Sequence, residues 1–200
     1  MVSVIKAYDV MADQLIGRYE SLTFEQVHQD LLPWLPIKPA KILDVGSGSG
    51  RDSKKLAELG YDVVSVEPAE NMIGWAKRHN NHKRISWIQD SLPKLRKVKE
   101  RHQRFDLILL SAVMMHIPPV EREESFETLC ELLKGKGLLY FSTSNRVVGD
   151  LRKFYEVSAE ELNVIAKNFS LDCLEQKECL DRFNRNNASW TVSIFRKKCP

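Results

Sequence analysis

The sequence predicts an α/β fold, a mostly parallel sheet with helices on both faces that ends in an antiparallel pair. Three observations carry that expectation. From residue 40 onward, short β-branched runs alternate with helical patterns, as successive βαβ units do. Ile42, Leu43 and Val45, and again Leu107 to Leu110, form nearly continuous apolar runs, which strands covered on both faces require. The last two strand patterns are joined only by the polar run Asp181 to Ala188, which leaves no room for a crossover helix, so they must pair as a hairpin.

In chain order, Val4 to Leu35 reads as two helical pieces, the second broken by Pro33 and Pro36. Strands are predicted at Lys41–Val45, Asp62–Glu67, Arg84–Ile88, Phe105–Ser111 and Gly137–Thr143. Helices fall between them at Arg51–Leu59, Ala69–His79 and Pro119–Leu133. Ser158 followed by Glu161 is a capping box that opens a helix to about Asn168, and the strands Leu171–Leu180 and Ser189–Arg196 complete the pattern. The connections leave no linker, so residues 1–200 read as one domain, with 1–36 a helical N-terminal part and 37–200 the layered core.

At 200 residues, 43% hydrophobic and 28% charged, the chain can bury one full core. No apolar run approaches the roughly 20 residues of a membrane span, and Met1 to Leu15 lacks the apolar stretch of a signal peptide, so a cytoplasmic location is expected. Cys130, Cys173, Cys179 and Cys199 contain no CxxC pair, which argues against a zinc site or a disulfide framework; no metal is expected. The net charge of +3 does not call for nucleic acid. Positive charge is concentrated only in Lys94 to Arg104, six Lys or Arg against one Glu, a run without an aromatic side chain to stack on a base. It reads as a solvated helix ahead of the fourth strand.

The strongest local signal is Asp44-Val45-Gly46-Ser47-Gly48-Ser49-Gly50, where an apolar strand runs into three alternate glycines and then a helix. Glycines at a strand end allow a tight turn and let a ligand reach the main chain, while the helix beginning near Arg51 offers unpaired N–H groups. A dinucleotide fingerprint needs glycine or alanine where Arg51 stands, which disfavours a nicotinamide-dependent oxidoreductase. A P-loop needs Gly-Lys-Ser/Thr where the chain has Gly50-Arg51-Asp52. Glu67 ends the second strand seventeen residues after Gly50, where its two oxygens can accept two ribose hydroxyls. Asp90, after the third strand, is placed to accept from an adenine amino group. Three sites at adjacent strand ends make one crevice.

On these residues the chain resembles the class I S-adenosylmethionine-dependent methyltransferases, of the small bacterial type with a methyltransferase-11 or -12 style core, over about Tyr8 to Arg196. The resemblance implies a Rossmann-like seven-stranded sheet of order 3-2-1-4-5-7-6 with its last strand reversed. It implies S-adenosylmethionine as cofactor and S-adenosylhomocysteine as product. Asp44, Gly46, Ser47, Gly48 and Gly50 would line the methionine part, Glu67 the ribose, Pro68 and Met72 the adenine ring, and Asp90 with Ser91 the adenine amino group. Ser111 and Ala112 resemble the segment facing the sulfonium. In similar enzymes the N-terminal helices form a lid, which brings in Tyr8, Asp9, Arg18 and Tyr19, with Tyr8 and Tyr19 as candidate substrate contacts. Arg182, Arg185 and Trp190 resemble a recurring arginine and tryptophan pair; Arg185 would bind an anionic substrate or pair with a surface carboxylate.

Methyl transfer is an in-line displacement at an activated sulfonium, so the protein mainly aligns the nucleophile and removes its proton. His116, just beyond the fourth strand, is the candidate base, the alternative being a residue that packs its own loop. The tetrapeptide Asn/Asp-Pro-Pro-Tyr/Phe of amino-methylating nucleic-acid enzymes is absent; Ser111-Ala112-Val113-Met114 stands there. The leading expectation is therefore methylation of a small-molecule acceptor, with nucleic acid disfavoured and no membrane partner. The alternatives are RNA or protein methylation through the basic run, or a catalytically silent cofactor-binding regulator. The acceptor and the oligomeric state are not written in the sequence.

Overall fold

The computed structural model describes residues 3–144, 150–183 and 188–198. Arg185 and Cys199 lie outside them. Seven strands form one sheet: β1 (Lys41–Val45), β2 (Asp62–Val66), β3 (Ile85–Ile88), β4 (Phe105–Ser111), β5 (Leu133–Ser144), β6 (Leu171–Leu180) and β7 (Ser189–Lys197). Their order is β3-β2-β1-β4-β5-β7-β6. β1 to β5 pair in parallel, and β7 runs antiparallel between β5 and β6.

The apolar runs divide by the two-residue period of a strand. Leu43, Val45, Val64, Val66, Ile108, Leu110, Leu139 and Phe141 point to one face, under the helices α7 (Pro119–Leu132) and α8 (Ala159–Asn168). Ile42, Val63, Leu107, Leu109, Leu138 and Tyr140 point to the other, where α4 (Arg51–Glu58) contributes Leu56 and Ala57. A third cluster joins the N-terminal helices to α5 (Glu70–His79) through Ala12, Leu15, Ile16, Ala69 and Met72.

Two segments depart from the sequence reading. The N-terminal part comprises three helices, α1 (Val4–Val10), α2 (Ala12–Glu20) and α3 (Phe24–Val27), followed by a 3-10 turn over Leu32–Trp34 that contains Pro33. Thr23 and Gln26 form a full capping box that starts α3 afresh, a signal present in the sequence. β5 begins at Leu133 rather than Gly137, with a register shift against β4 between Phe105 and Leu107. At that bend Lys136 has a φ of 65°, and a Cβ on Gly137 would lie 3.1 Å from the Phe105 carbonyl oxygen. The basic run forms only the short helix α6 (Arg96–Lys99), and a 3-10 turn over Met114–His116 follows β4.

Candidate functional site

The carboxyl ends of β1, β2 and β4 open into a single cavity of about 650 Å³. The glycine loop forms its floor. Gly46 has a φ of 73°, and a Cβ there would meet Val113 Cγ2 at 2.5 Å; Gly48 has a φ of 55°, with the Tyr19 ring 3.3 Å from where a Cβ would sit. Both positions need a residue without a side chain. Gly50, with a φ of 80°, does not line the cavity. Its missing Cβ makes room for the Trp87 ring, and it caps the start of α4. Ser47 Oγ is buried in the loop with no hydrogen-bond partner. A buried hydroxyl left unmatched costs about 1–3 kcal/mol, so its partner is sought in a ligand.

Three carboxylates border this floor. Asp44 is fully buried and accepts the Ser53 hydroxyl at 2.6 Å. Burial, with the Asp52 charge next, pushes its pKa up to about 7. Glu67, the first residue past β2, accepts the Gly48 N–H and the Ala69 N–H, both at 2.9 Å, and burial pushes it up to about 7 as well. Each of its oxygens keeps a lone pair for a further donor. Asp90 lines the cavity but also caps α6, accepting the N–H groups of Ser91, Lys97 and Val98.

The N-terminal helices are tied to this floor. Arg51 donates to the Tyr19 carbonyl oxygen at 2.8 Å and to Asp52 at 2.7 Å. Asp52 is also held by the wholly buried His28, at 2.7 Å. Burial alone would raise the Asp52 carboxyl, but His28 and Arg51 outweigh it and keep it ionised. Asn80 bridges the Ser49 carbonyl oxygen and Glu20, and Asp9 accepts the Asn71 N–H. Arg51, read in the sequence only as an exclusion of dinucleotides, is thus the hinge between loop and N-terminal helices. No sequence pattern flagged His28.

Beyond β4, the Tyr8 hydroxyl lies 2.8 Å from His116 Nε2, and His116 Nδ1 lies 2.9 Å from the Lys153 carbonyl oxygen. A carbonyl only accepts, so Nδ1 carries the proton and Nε2 accepts from Tyr8. Burial lowers the imidazole to about pH 4, against the opposing pull of the Lys153 carbonyl, so it is neutral at pH 7. Burial raises the Tyr8 and Tyr19 phenols, which adjoin one another, while Arg152 opposes it from beside them. The Arg152 guanidinium lies 5.6 Å from the Tyr8 ring centroid and 5.2 Å from that of Phe154, and Phe154 packs on His116 at 4.7 Å. Asp150 anchors Arg152 at 2.7 Å. This aromatic and basic stretch, 150–155, was not singled out from the sequence, although its pattern of Arg152, Phe154 and Tyr155 ahead of a capped helix was visible there.

Of the remaining expected site residues, Pro68, Ser91, Ser111 and Ala112 line the cavity. Met72 does not. It is fully buried between α5 and the N-terminal helices, because α1 and α2 cover the face of α5 on which it stands. At the far end, Trp190 donates to Asp181 at 2.8 Å and Arg182 reaches Asp30 at 3.3 Å, all four lining the same cavity. Arg18 does not line it. In the basic run, Lys94 and Lys99 pair with Glu124 and Glu131 on α7, as a solvated surface does. Among the described residues no helix is long and apolar enough to cross a membrane, and no group of three or more His, Cys, Asp or Glu is placed to hold a metal.

The sheet order, the glycine loop and the carboxylates at successive strand ends define a class I S-adenosylmethionine-dependent methyltransferase. The model of the methyltransferase domain family matches residues 16–183, and the chain belongs to that family. It is 32% identical over 119 residues to the human mitochondrial ubiquinone biosynthesis O-methyltransferase, a match covering 57% of this chain and 31% of that one. It is also 32% identical over 112 residues to the ubiquinone biosynthesis O-methyltransferase of Coxiella burnetii, covering 56% and 47%. The chain therefore spans less than half the length of these curated relatives. An S-adenosylmethionine-dependent methyltransferase of Anabaena variabilis superposes with a TM-score of 0.76 at 15% identity, covering 99% of this chain and 96% of that one, a likeness of fold.

Proposed function

We propose that this protein transfers the methyl group of S-adenosylmethionine to a nucleophile on a small molecule, with the N-terminal helices, residues 1–36, as a lid over a core of 37–200 in the cytoplasm. The observation that carries the reading is a single cavity lined by the glycine loop, Glu67 and the hydrogen-bonded Tyr8–His116 pair. The residues fit the cofactor. Gly46, Ser47 and Gly48 line the cavity, Ser47 Oγ lacks a partner, and Glu67 retains lone pairs for ribose hydroxyls. Pro68, Asp90, Ser91 and Ser111 line the same cavity, where Asp90 and Ser91 would take the adenine amino group, Pro68 the adenine ring and Ser111 the segment facing the sulfonium.

When bound, S-adenosylmethionine supplies an electrophilic methyl carbon. The chain's own part is to hold, to exclude water and to take a proton. Neutral His116 has its Nε2 lone pair on Tyr8, so an acceptor hydroxyl or amine that displaces or joins that phenol can pass its proton to Nε2. Tyr8 and Tyr19 then form the acceptor wall nearest the reacting atom. The curated relatives are named for O-methylation in ubiquinone biosynthesis, which favours an oxygen acceptor. Arg185, expected to bind an anionic substrate or to pair with a surface carboxylate, lies outside the described residues.

Calorimetry tests the reading. Micromolar binding of S-adenosylhomocysteine that Glu67→Ala weakens, together with a methylated product from a panel of phenols and amines, is the expected result. No binding at millimolar concentration would refute it, while binding without product across the panel would favour a silent regulator.

A further inference from the structure

Arg122 stands on the first turns of α7, with a side chain 1% exposed, and does not line the cavity. Its Nε donates to the Ile117 carbonyl oxygen at 3.2 Å, its Nη2 to the Glu156 carbonyl oxygen at 2.8 Å, and its Nη1 pairs with Glu161 on the first turn of α8. Burying a guanidinium is costly unless every arm is used, and here each arm meets a different segment. Two of those segments meet at His116. Ile117 is its neighbour, and residues 153–156 lie against it through the Tyr155 N–H to the Met115 carbonyl oxygen, 2.8 Å, and the Lys153 carbonyl that receives the His116 Nδ1 proton.

We propose that Arg122 is a positioning residue for His116: by clamping the Ile117 and Glu156 carbonyls together it holds the Lys153 carbonyl against Nδ1 and so keeps the Nε2 lone pair facing the cavity. The inference rests on the proposed role of His116 as base, and it adds the group that sets the base's tautomer. Without Arg122 the two segments keep the Tyr155–Met115 bond, the imidazole's own contact and the Phe154 ring against His116, none of which holds the Ile117 and Glu156 carbonyls together. The ring is then free to turn or to move its proton to Nε2, where it no longer accepts.

The tautomer is readable directly. In the full chain labelled with 15N-histidine, long-range proton–nitrogen spectra distinguish Nδ1–H from Nε2–H, and His116→Gln assigns the signal. The parent is expected to favour Nδ1–H at least about fivefold, the ratio that one hydrogen bond of ordinary net strength supplies. Arg122→Met is expected to bring that ratio toward one and to move the imidazole's titration up from about pH 4 as water enters. Arg122→Lys, which keeps the charge beside Glu161 but reaches only one carbonyl, is expected to fall between the two. A cooperatively folded Arg122→Met with the parent's tautomer ratio and titration overturns the proposal; should that variant fail to fold, an unchanged ratio in Arg122→Lys overturns it. S-adenosylhomocysteine calorimetry on the same samples separates the two readings, because a parent that binds none refutes the cofactor site while the tautomer still judges Arg122.

Discussion

Glu67→Gln separates the energetic cost of the candidate ribose ligand from its use. The Glu67 carboxyl is raised from 4.5 to about 7 by burial, with the two backbone N–H groups only partly offsetting it. Below pH 4.5 both the folded and unfolded chains carry the proton, and the group costs nothing. As pH rises, the unfolded chain ionises first, so stability is lost progressively and the loss is complete above pH 7. At 1.36 kcal/mol per pH unit the loss amounts to about 3 kcal/mol at pH 8. Glutamine does not ionise. Its amide nitrogen must face either the Gly48 or the Ala69 N–H, a cost of about 1–3 kcal/mol that is independent of pH. The stability of Glu67→Gln relative to the parent should therefore improve by about 3 kcal/mol between pH 4.5 and 8, and Asp44 adds to the difference in the same direction, because the Glu67 charge is among the lesser causes that raise it. Urea unfolding without ligand, at half-unit pH steps, measures this difference. Parallel curves would refute the reasoning. With S-adenosylhomocysteine at pH 8 the order should reverse, the parent gaining more, because only the carboxylate accepts both ribose hydroxyls.

Three further outcomes are expected. Gly50→Ala should lower stability by about 2–4 kcal/mol in thermal unfolding, since its φ of 80° strains alanine and the new Cβ would lie 2.5 Å from Trp87, whereas Gly17→Ala, with nothing within 4 Å, should gain up to about 1 kcal/mol. At saturating S-adenosylmethionine, methyl transfer to an acceptor found in the panel should lose nothing to His116 protonation as pH falls from 8 toward 5, because His116 remains neutral until about pH 4, while cofactor affinity falls as Glu67 takes up its proton near pH 7. His116→Ala should lower kcat about 10²–10⁴-fold with S-adenosylhomocysteine affinity unchanged. Reversing Lys97, Lys99 and Arg101 to Glu should cost no more than about 1 kcal/mol for each exposed pair broken and leave both cofactor affinity and RNA filter binding at parent levels.

Much of this molecule was legible in one dimension because the signals were local. β1, β4 and β6 have the predicted boundaries, β1 and β4 because apolar runs bounded by turn residues mark strands directly. The terminal hairpin followed from a loop too short for a helix, and the resemblance supplied the strand order that the sheet displays. The glycine loop, Glu67 and Asp90 were visible because each sits at a strand end, and strand ends in a parallel sheet gather on one edge. Where the sequence reading stopped short, the cause was long-range. The start of β5 depends on a bulge against β4, and the covering of Met72 on α1 and α2 packing over α5.

The sequence by itself determined a parallel α/β sheet with an adenosyl-type floor, because periodicity and glycine spacing are properties of neighbours along the chain. Only the tertiary structure decided what stands opposite that floor. The Tyr8–His116 contact spans 108 residues, the Arg122–Glu161 pair 39 and the His28–Asp52 pair 24. None of these residues has a local pattern that requires its partner. They meet because the sheet brings α1, the turn after β4 and the segment before α8 to the same edge, and hydrogen bonds at that distance along the chain exist only once the sheet has formed.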